Sequence, residues 1–187
     1  MAEFRIETER LILREWRNEE GDALHAMSQD EQVMEFLGPL MSPAETSVFI
    51  SRSQATFAAN GYCFWVVERK RDGMFLGSCG LKPGPEHTPV AGRTEIGWRL
   101  ARGAWGQGYA REAAQASLDW GFANLPDDSI WSMTVPANLR SWGLMERLGM
   151  VRHHELDFDH PGVPVGSPLK RHITYSIARL GHTATNR

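Results

Sequence analysis

Two hydrophobic patterns alternate along the chain, and together they predict a mixed α/β protein. Short apolar stretches between turn residues predict strands at 11–16, 62–69, 74–81, 94–100, 129–135, 150–158 and 171–179. Apolar positions three and four apart predict helices at 18–28, 30–38, 43–60, 109–122 and 139–148. The turn Arg71-Asp72-Gly73 predicts a hairpin, so the sheet is not purely parallel. We therefore expect the α/β class, with a mixed, twisted central β-sheet flanked by α-helices.

Several helix ends carry their own signals. Ser42-Pro43-Ala44-Glu45 combines a capping box with proline at the first helical position, and Asn60-Gly61 is a typical helix stop. Asn18, Asp30 and Asn138 are expected N-caps of the helices that follow them. The helix after residue 108 has one face of small and apolar residues, which predicts close packing on the sheet: Ala110, Ala113, Ala114, Ser117, Leu118, Gly121 and Phe122.

Length and charge narrow the class of protein. The 187 residues suffice for one domain, expected over 1–180, with the tail 181–187 expected to be disordered. The net charge of −3 gives no basic field that would indicate a nucleic-acid or membrane partner. The charged start MAEFRIETER is not a signal peptide, and no apolar run reaches the ~18 residues of a membrane span. We expect a cytoplasmic protein in which Cys63 and Cys79 are reduced and buried.

The sharpest chemical signal is the segment LARGAWGQGYA, residues 100–110, where a strand leads through glycines into a helix. Free backbone N–H groups and the positive end of the helix dipole make such a start an anion site. Two alternative interpretations of this segment remain open. One is a plain tight turn, and the other is a dinucleotide-binding fingerprint, in which Arg111 replaces the third glycine.

Two further clusters carry candidate chemistry. Asn138-Leu139-Arg140-Ser141 begins a helix directly after a strand, and capping alone would explain the asparagine. A second cluster of metal-ligating residue types lies near the C-terminus: His153, His154, Glu155, Asp157, Asp159 and His160. Because alternation along a strand would split that cluster between two faces, we expect hydrogen-bonded surface residues there and no metal.

Several segments of the chain resemble the GNAT superfamily of N-acetyltransferases. LARGAWGQGYAREA is similar to its acetyl-coenzyme A loop, and NLRSWGLMERLGM to the block that follows. TERLILREW, TEIGWRL and the end, FDHP and LKRHITYSI, are similar to the RimJ/RimL-like branch, which acetylates α-amino groups of ribosomal proteins. The resemblance spans about residues 7–179. One departure is Gly103, at a position where the superfamily often has Gln or Arg.

The resemblance implies the fold and a set of roles. Backbone N–H groups near Trp98 and Leu100 would polarise the thioester carbonyl, and Asn138 would bind the pantetheine arm. Ser141 would hydrogen-bond the sulfur and act as general acid. Glu95 is the general-base candidate, and its alternative is an exposed strand carboxylate. The acetyl-coenzyme A turn would comprise Arg102, Trp105, Gly106, Gln107, Gly108, Tyr109 and Ala110.

The expected reaction is direct attack of a primary amine on acetyl-coenzyme A in a ternary complex. The acceptor is expected to be the α-amine of a peptide or protein N-terminus, or a small-molecule amine. An α-amine has a pKa near ~7.7–8.0 against ~10.4 for lysine, which suits a motif with one carboxylate and no histidine. A catalytically silent acyl-coenzyme A-binding module on the same fold is the alternative. A homodimer is left open.

Overall fold

A computed structural model of the chain describes residues 4–181. Its nine strands are β1 (Arg5–Glu7), β2 (Leu11–Arg14), β3 (Phe64–Arg69), β4 (Met74–Pro83), β5 (Thr94–Leu100), β6 (Ser129–Thr134), β7 (Val151–Arg152), β8 (Phe158–Asp159) and β9 (Arg171–Ala178). Its five α-helices are α1 (Gly21–Ser28), α2 (Glu31–Met34), α3 (Pro43–Asn60), α4 (Tyr109–Asn124) and α5 (Leu139–Arg147). The expected tail falls almost wholly on residues 182–187, which lie outside the described residues.

All nine strands join one mixed sheet, which confirms the predicted class. Their order is β1-β2-β3-β4-β5-β6-β9-β7, and β8 pairs with β9 as well. The pair β5–β6 is parallel, whereas β1 to β5 follow one another antiparallel and β6 is antiparallel to β9. The crossover between the parallel strands runs through α4, as such a connection requires a helix-sized segment.

The two faces of the sheet carry different layers. Trp65, Cys79 and Leu81 are fully buried on the face that α4 covers, where Cys79 Sγ lies 3.8 Å from Ser117 Oγ. Residues one position away along the strands face α1 and α3 instead, since side chains alternate between the faces of a strand. Cys63 and Cys79 are free and buried, as predicted.

The small-residue face of α4 packs closely on the sheet, also as predicted. Ala113, Ala114 and Ser117 are fully buried. A Cβ added at Gly121 would lie 2.8 Å from side-chain carbons of both Leu81 and Ile130, so the helix approaches the strands at a distance that only glycine permits there.

The helix-end signals are confirmed at α3 and corrected near the N-terminus. Ser42 accepts a hydrogen bond from the Glu45 N–H, the Glu45 carboxylate accepts from the Ser42 N–H, and Gly61 closes the helix at φ +78°. The prediction for Asn18 is wrong: it is the first residue of a 3₁₀ turn, because the Glu20 carboxylate bonds the backbone N–H of Arg17 and so caps the segment one residue earlier. Asp30 does cap α2, which ends at Met34 rather than near residue 38.

The predicted strand 150–158 is wrong. Residues 154–156 form a 3₁₀ turn between β7 and β8. Arg152 pairs with Tyr175 and Phe158 pairs with His172. The segment from 152 to 158 therefore advances six residues while β9 advances only three. The surplus residues bulge outward as the turn. Side chains in this turn do not alternate between two faces as they would in a strand. The expected division of His154 and Glu155 between the two faces of a strand is therefore wrong. Strand β1 had no counterpart among the predicted elements.

Within residues 4–181, no helix is both long and apolar enough to cross a membrane.

Candidate active site

Strands β5 and β6 diverge, and the gap between them is the centre of the site. Their parallel pairing covers Thr94 with Ile130 and Glu95 with Trp131. At the next step the Ser132 hydroxyl donates to the Ile96 carbonyl at 2.9 Å in place of a backbone bond. The pairing of the two strands ends there, so the carboxyl end of β5 faces β6 across an unpaired edge, which we call the cleft.

The backbone polarity of β5 along this cleft follows from two hydrogen bonds. The Ile96 carbonyl points to β6, whereas the Ala101 N–H donates to the Leu76 carbonyl on the β4 side at 2.8 Å. Alternate residues of a strand direct their N–H and C=O groups to the same edge. The N–H groups of Trp98 and Leu100 therefore point into the cleft.

The glycine turn after β5 leaves the N-terminus of α4 open. Gly106 and Gly108 adopt φ +73° and +82°, and Gly108 occupies the N-cap, where it has no side chain to satisfy the helix. The first helical bond runs from the Glu112 N–H to the Gly108 carbonyl at 3.0 Å. The N–H groups of Tyr109, Ala110 and Arg111 thus have no partner inside the helix and meet the positive end of its dipole.

Arg10 lies beside this N-terminus and was missed from the sequence. Its Nη1 donates to the Gln107 carbonyl at 3.0 Å, and its guanidinium lies 4.6 Å from the centre of the Tyr109 ring. The Glu112 carboxylate holds it at 2.6 Å and also accepts from the Thr8 hydroxyl. Burial raises the pKa of Glu112, but the bonds from Thr8 and Arg10 outweigh it and lower that pKa. Arg10 precedes Glu112 by 102 residues, so the spacing of residues around the glycine turn could not reveal it.

Of the residues predicted in the turn, Arg102 and Gln107 are bound within the protein. Arg102 Nε lies 2.9 Å from the Asp30 carboxylate, and the Gln107 amide donates to the Gly103 carbonyl at 2.7 Å. A cavity of about 330 Å³ adjoins the Asp30–Arg102 pair and is floored by Met27, Val33 and Phe75, among others. Gly103 has an ordinary φ and open space around its Cα, so its backbone does not require glycine.

The N-terminus of α5 faces the same turn. The Asn138 side chain accepts from the Ser141 N–H at 3.2 Å and donates to the Thr134 hydroxyl at 3.2 Å, which confirms the predicted N-cap. Among the described residues, none shares a hydrogen bond with the Ser141 hydroxyl, which is partly exposed. The Arg140 guanidinium stacks 4.4 Å from the Trp105 ring, whose indole donates to the Leu100 carbonyl at 2.8 Å. The beginnings of α4 and α5 therefore both border the open end of the cleft.

Glu95 is buried, not an exposed strand carboxylate. It retains 7% of its accessible surface, and Lys82 Nζ on β4 lies 2.7 Å from its Oε2. Burial raises the pKa of Glu95, and the Lys82 ammonium opposes that rise without cancelling it. The structure thus places at the narrow end of the cleft a carboxyl group whose proton affinity is above the ordinary value, which suits a base that works near neutral pH.

The face of β5 that carries Glu95 continues to Gly97 and Arg99. The Phe64 ring lies against Gly97, where an added Cβ would meet Cζ at 2.7 Å. A histidine also approaches this face. The pKa of His160 is lowered first by burial and then by the charge of Lys82, the residue that pairs with Glu95. The His160 and His172 rings lie 4.9 Å apart.

Tyr109 is turned away from the cleft. Its ring is buried under Arg10. The pKa of Arg69, at the end of β3, is raised first by Asp72 and then by Tyr109, so the Tyr109 hydroxyl lies on the Arg69 side. The backbone N–H group is therefore the part of Tyr109 that can contribute to an anion site at the glycine turn.

The C-terminal cluster makes protein contacts. His153 bonds the Ser176 hydroxyl at 2.8 Å and packs 4.9 Å from the Trp131 ring, and Asp157 pairs with Arg152 at 2.7 Å. Within residues 4–181, no group of three or more His, Cys, Asp or Glu side chains is arranged to hold a metal ion.

Known proteins share both sequence and fold with this chain. The Bacillus subtilis protein named uncharacterized protein YkkB is 32% identical over 150 residues, which covers 80% of this chain and 86% of that protein. The crystal structure of a GNAT-family acetyltransferase from Bacillus anthracis superimposes with a TM-score of 0.77 at 26% identity, over 95% of this chain and 99% of that one. RimL, a ribosomal L7/L12 α-N-protein acetyltransferase solved in complex with coenzyme A, has a TM-score of 0.76 over 94% of this chain and 98% of its own; at 15% identity this is a likeness of fold.

The family model described as acetyltransferase (GNAT) domain matches residues 10–151. That range begins at Arg10 and takes in the diverging strands, the glycine turn and the starts of both helices that border it. The chain therefore belongs to the GNAT family of acetyltransferases and is an N-acetyltransferase.

Proposed function

We propose that the protein transfers acetyl from acetyl-coenzyme A to the α-amine of a peptide or protein N-terminus, or to a small-molecule amine of similar acidity. The observation that carries the proposal is the opening between β5 and β6, with cleft-facing N–H groups on one side and the uncapped start of α4 at its mouth. A thioester carbonyl and a pyrophosphate need these two kinds of donor, respectively.

The donor side of the proposal rests on charge and backbone geometry. The N–H groups at the start of α4 suit the pyrophosphate, and the nearby guanidinium groups of Arg10, Arg102 and Arg140 supply positive charge around it. Asn138 would bind the pantetheine arm through the part of its amide that the cap leaves free. Bound acetyl-coenzyme A supplies the activated acetyl group.

The chemical steps use the protein's own groups. The N–H groups of Trp98 and Leu100 stabilise the negative charge that develops on the carbonyl oxygen. Glu95 takes a proton from the ammonium form of the acceptor, directly or through water, and the neutral amine that results attacks the thioester carbonyl. The Ser141 hydroxyl, which has no partner among the described residues, donates to the departing sulfur. A thiol with a pKa near ~8.5 is a tolerable leaving group, so this assistance is modest.

An α-amine is the acceptor that these groups match best. A lysine side chain costs roughly 3.3–3.7 kcal/mol more to deprotonate at pH 7 than an α-amine, from a pKa gap of ~2.4–2.7 units. His160 is a second titratable group on this side, and burial followed by the charge of Lys82 lowers its pKa, which makes it a weaker base than an exposed histidine. A cytoplasmic location and a homodimer stay predictions.

The test follows free thiol released from acetyl-coenzyme A in the presence of peptides with different N-terminal residues, lysine-containing peptides blocked at the α-amine, polyamines and aminoglycosides. We expect acetylation of α-amines, identified by mass spectrometry, well above the rate of hydrolysis without amine. A preference for lysine side chains would overturn the acceptor assignment. Coenzyme binding without transfer to any amine would favour the catalytically silent module.

A further inference from the structure

Arg99 is a guanidinium group with no counter-charge among residues 4–181. It lies on β5, on the same face as Glu95 and four residues further along the strand toward the open end of the cleft. Its Nη1 contacts the sulfur atoms of Met34 at 3.6 Å and Met41 at 3.4 Å, and its carbon centre lies 4.8 Å from the Phe49 ring. Its Nη2 is buried and has no hydrogen-bond partner.

This environment disfavours the charge that it surrounds. Burial alone lowers the pKa of Arg99 to about 10, and among residues 4–181 no carboxylate forms an ion pair with it. The other arginine buried beneath the sheet, Arg14, has carboxylates of Glu20 and Glu68 at 2.7 and 2.9 Å. In the part of the chain that the structure describes, Arg14 therefore has two counter-charges and Arg99 has none. A methionine in the same place would pack among the same sulfurs without the cost of desolvation.

We propose that Arg99 binds a carboxylate of the acceptor, so that the preferred substrate is an amine with a carboxylate close to it. This inference rests on the proposed function, since it concerns the acceptor side of the same cleft. Arginine is suited to the task because its planar fork meets a carboxylate with two parallel hydrogen bonds. Arg99 projects from the strand whose N–H groups border the thioester position, and Glu95 lies on the same face.

The groups that cover Arg99 are able to yield to a ligand. Met34 ends α2 and Met41 precedes α3, and the segment between them includes Leu37 and Leu40, both largely exposed. Thioether side chains have several rotatable bonds and weak acceptor sulfurs, so a carboxylate would replace them at little cost. Arg99 itself is half-buried, not sealed, which leaves a path from solvent.

The experiment compares acceptors that differ in one negative charge. The pairs are alanine with alaninamide, with rates normalised to the free-amine concentration, and C-terminally amidated Ala-Glu-Ala with Ala-Gln-Ala. The wild type is expected to prefer the carboxylate member of at least one pair by about 10–100-fold in kcat/KM, as a charge-assisted bidentate contact would give. In Arg99→Met the ratio should fall to about 1 through a higher KM, and Arg99→Lys should retain part of it.

Two controls test whether Arg99 binds a carboxylate of the acceptor or a phosphate of the donor. Arg102→Met removes a neighbouring guanidinium at the glycine turn and should leave the acceptor ratio as it is in the wild type. Calorimetry should find the same acetyl-coenzyme A affinity in Arg99→Met and the wild type. If that affinity falls instead, Arg99 binds a phosphate of the donor and the inference is wrong. It is equally wrong if the wild type shows no preference within either pair.

A third measurement does not depend on turnover. N-acetylalanine should bind the wild-type protein with coenzyme A more tightly than N-acetylalaninamide does, and Arg99→Met should remove the difference. This arm decides the inference even if no amine is acetylated, an outcome that would refute the proposed function alone. The melting temperature of Arg99→Met should equal or exceed that of the wild type, because an unpartnered charge is gone. A fall in melting temperature with no change in acceptor ratio would assign Arg99 a structural role.

Discussion

Glu95 and Ser141 divide the proton transfers of the proposed reaction, and their surroundings differ as those tasks require. Glu95 is buried, which raises its pKa above the ordinary value, and the Lys82 ammonium beside it opposes that rise. Ser141 is partly exposed at the start of α5, with its backbone fixed by Asn138 and its hydroxyl free to turn. A carboxylate is suited to accept a proton, and a hydroxyl is suited to donate one to a departing thiolate.

Replacing Glu95 tests the base directly. Glu95→Gln should lower kcat/KM at pH 7 by about 100-fold, the lower end of the range for general bases, and recover part of the loss near pH 9, where the free amine is abundant. A deficit of the same size at both pH values would exclude the base role. Lys82→Met is the matched variant. Loss of the ammonium should raise the pKa of Glu95 further and move the acidic limb of the pH profile to higher pH, with Glu95 still present.

Ser141→Ala tests the proton donor. Turnover should fall by about 10–100-fold with acetyl-coenzyme A affinity little changed, because the hydroxyl acts on the departing thiolate rather than on the bound donor. Stopped-flow turnover with calorimetry on the same preparation separates the two quantities. Full activity would transfer the role to water. Tyr109 is a poor substitute, since its ring is buried under the Arg10 guanidinium.

At the scale of single elements, the glycine turn combines a conformational requirement with a binding one. Gly106→Val and Gly108→Val force a β-branched residue into φ near +73° and +82°, and both should lose acetyl-coenzyme A affinity by at least 10-fold in calorimetry. Gly103→Ala is the control. Its φ is ordinary and its surroundings are open, so its affinity should match the wild type. Unchanged affinity in both valine variants would mean that the phosphates bind elsewhere.

The N-cap of α5 offers a cleaner separation of structure from binding. Asn138→Ser keeps an oxygen that caps the Ser141 N–H but removes the amide that is proposed to meet the pantetheine arm. We expect a melting temperature close to that of the wild type and a weaker acetyl-coenzyme A affinity. Asn138→Ala should lose both, with about 1 kcal/mol of stability from the cap. If the serine variant binds normally, Asn138 is a helix cap and nothing more.

Elements with local signals could be predicted from the sequence, and elements that depend on distant pairing could not. Helix α3 carries its capping box and its glycine stop within its own residues, so both ends are confirmed. Strand β1 is three residues long and exists because Ile6 pairs with Leu13, which no local pattern reveals. The turn at 154–156 likewise follows from two separate registers on β9.

The site divides in the same way. The glycine turn and the cap at Asn138 could be predicted, because each is marked by neighbouring residues in the sequence. The buried pair of Glu95 with Lys82, the arginine beside the start of α4 and the uncompensated Arg99 follow from strand register and from the packing of helices on one face. A sequence gives residue types at these positions, but their counter-charges are fixed only when distant strands pair.

Across the whole molecule, carboxylates with lowered pKa values hold both distant and neighbouring segments together, and they predict how stability depends on pH. Glu112 joins α4 to the turn between β1 and β2, and Asp72, whose pKa is lowered to about 2 chiefly by Arg69, fixes the β3–β4 hairpin. A carboxyl group whose folded pKa lies below its unfolded value adds stability above the unfolded pKa and loses it as pH falls through the folded one. Glu95 has the opposite sign, so its contribution is present at low pH and is lost as pH rises through its raised pKa.

The melting temperature should therefore decline as pH falls from about 4.5 to 2, where the lowered groups take up protons. Glu112→Gln should melt about 2–4 °C below the wild type at pH 7, as a partly screened contribution of roughly 1 kcal/mol implies for a domain of this size, and the two curves should converge near pH 2. Glu86→Gln, at an exposed loop position, is the control and should follow the wild-type curve. A gap between Glu112→Gln and the wild type that stays constant from pH 7 to pH 2 would mean that Glu112 acts through packing, because only a contribution linked to its ionisation disappears when the carboxylate is protonated.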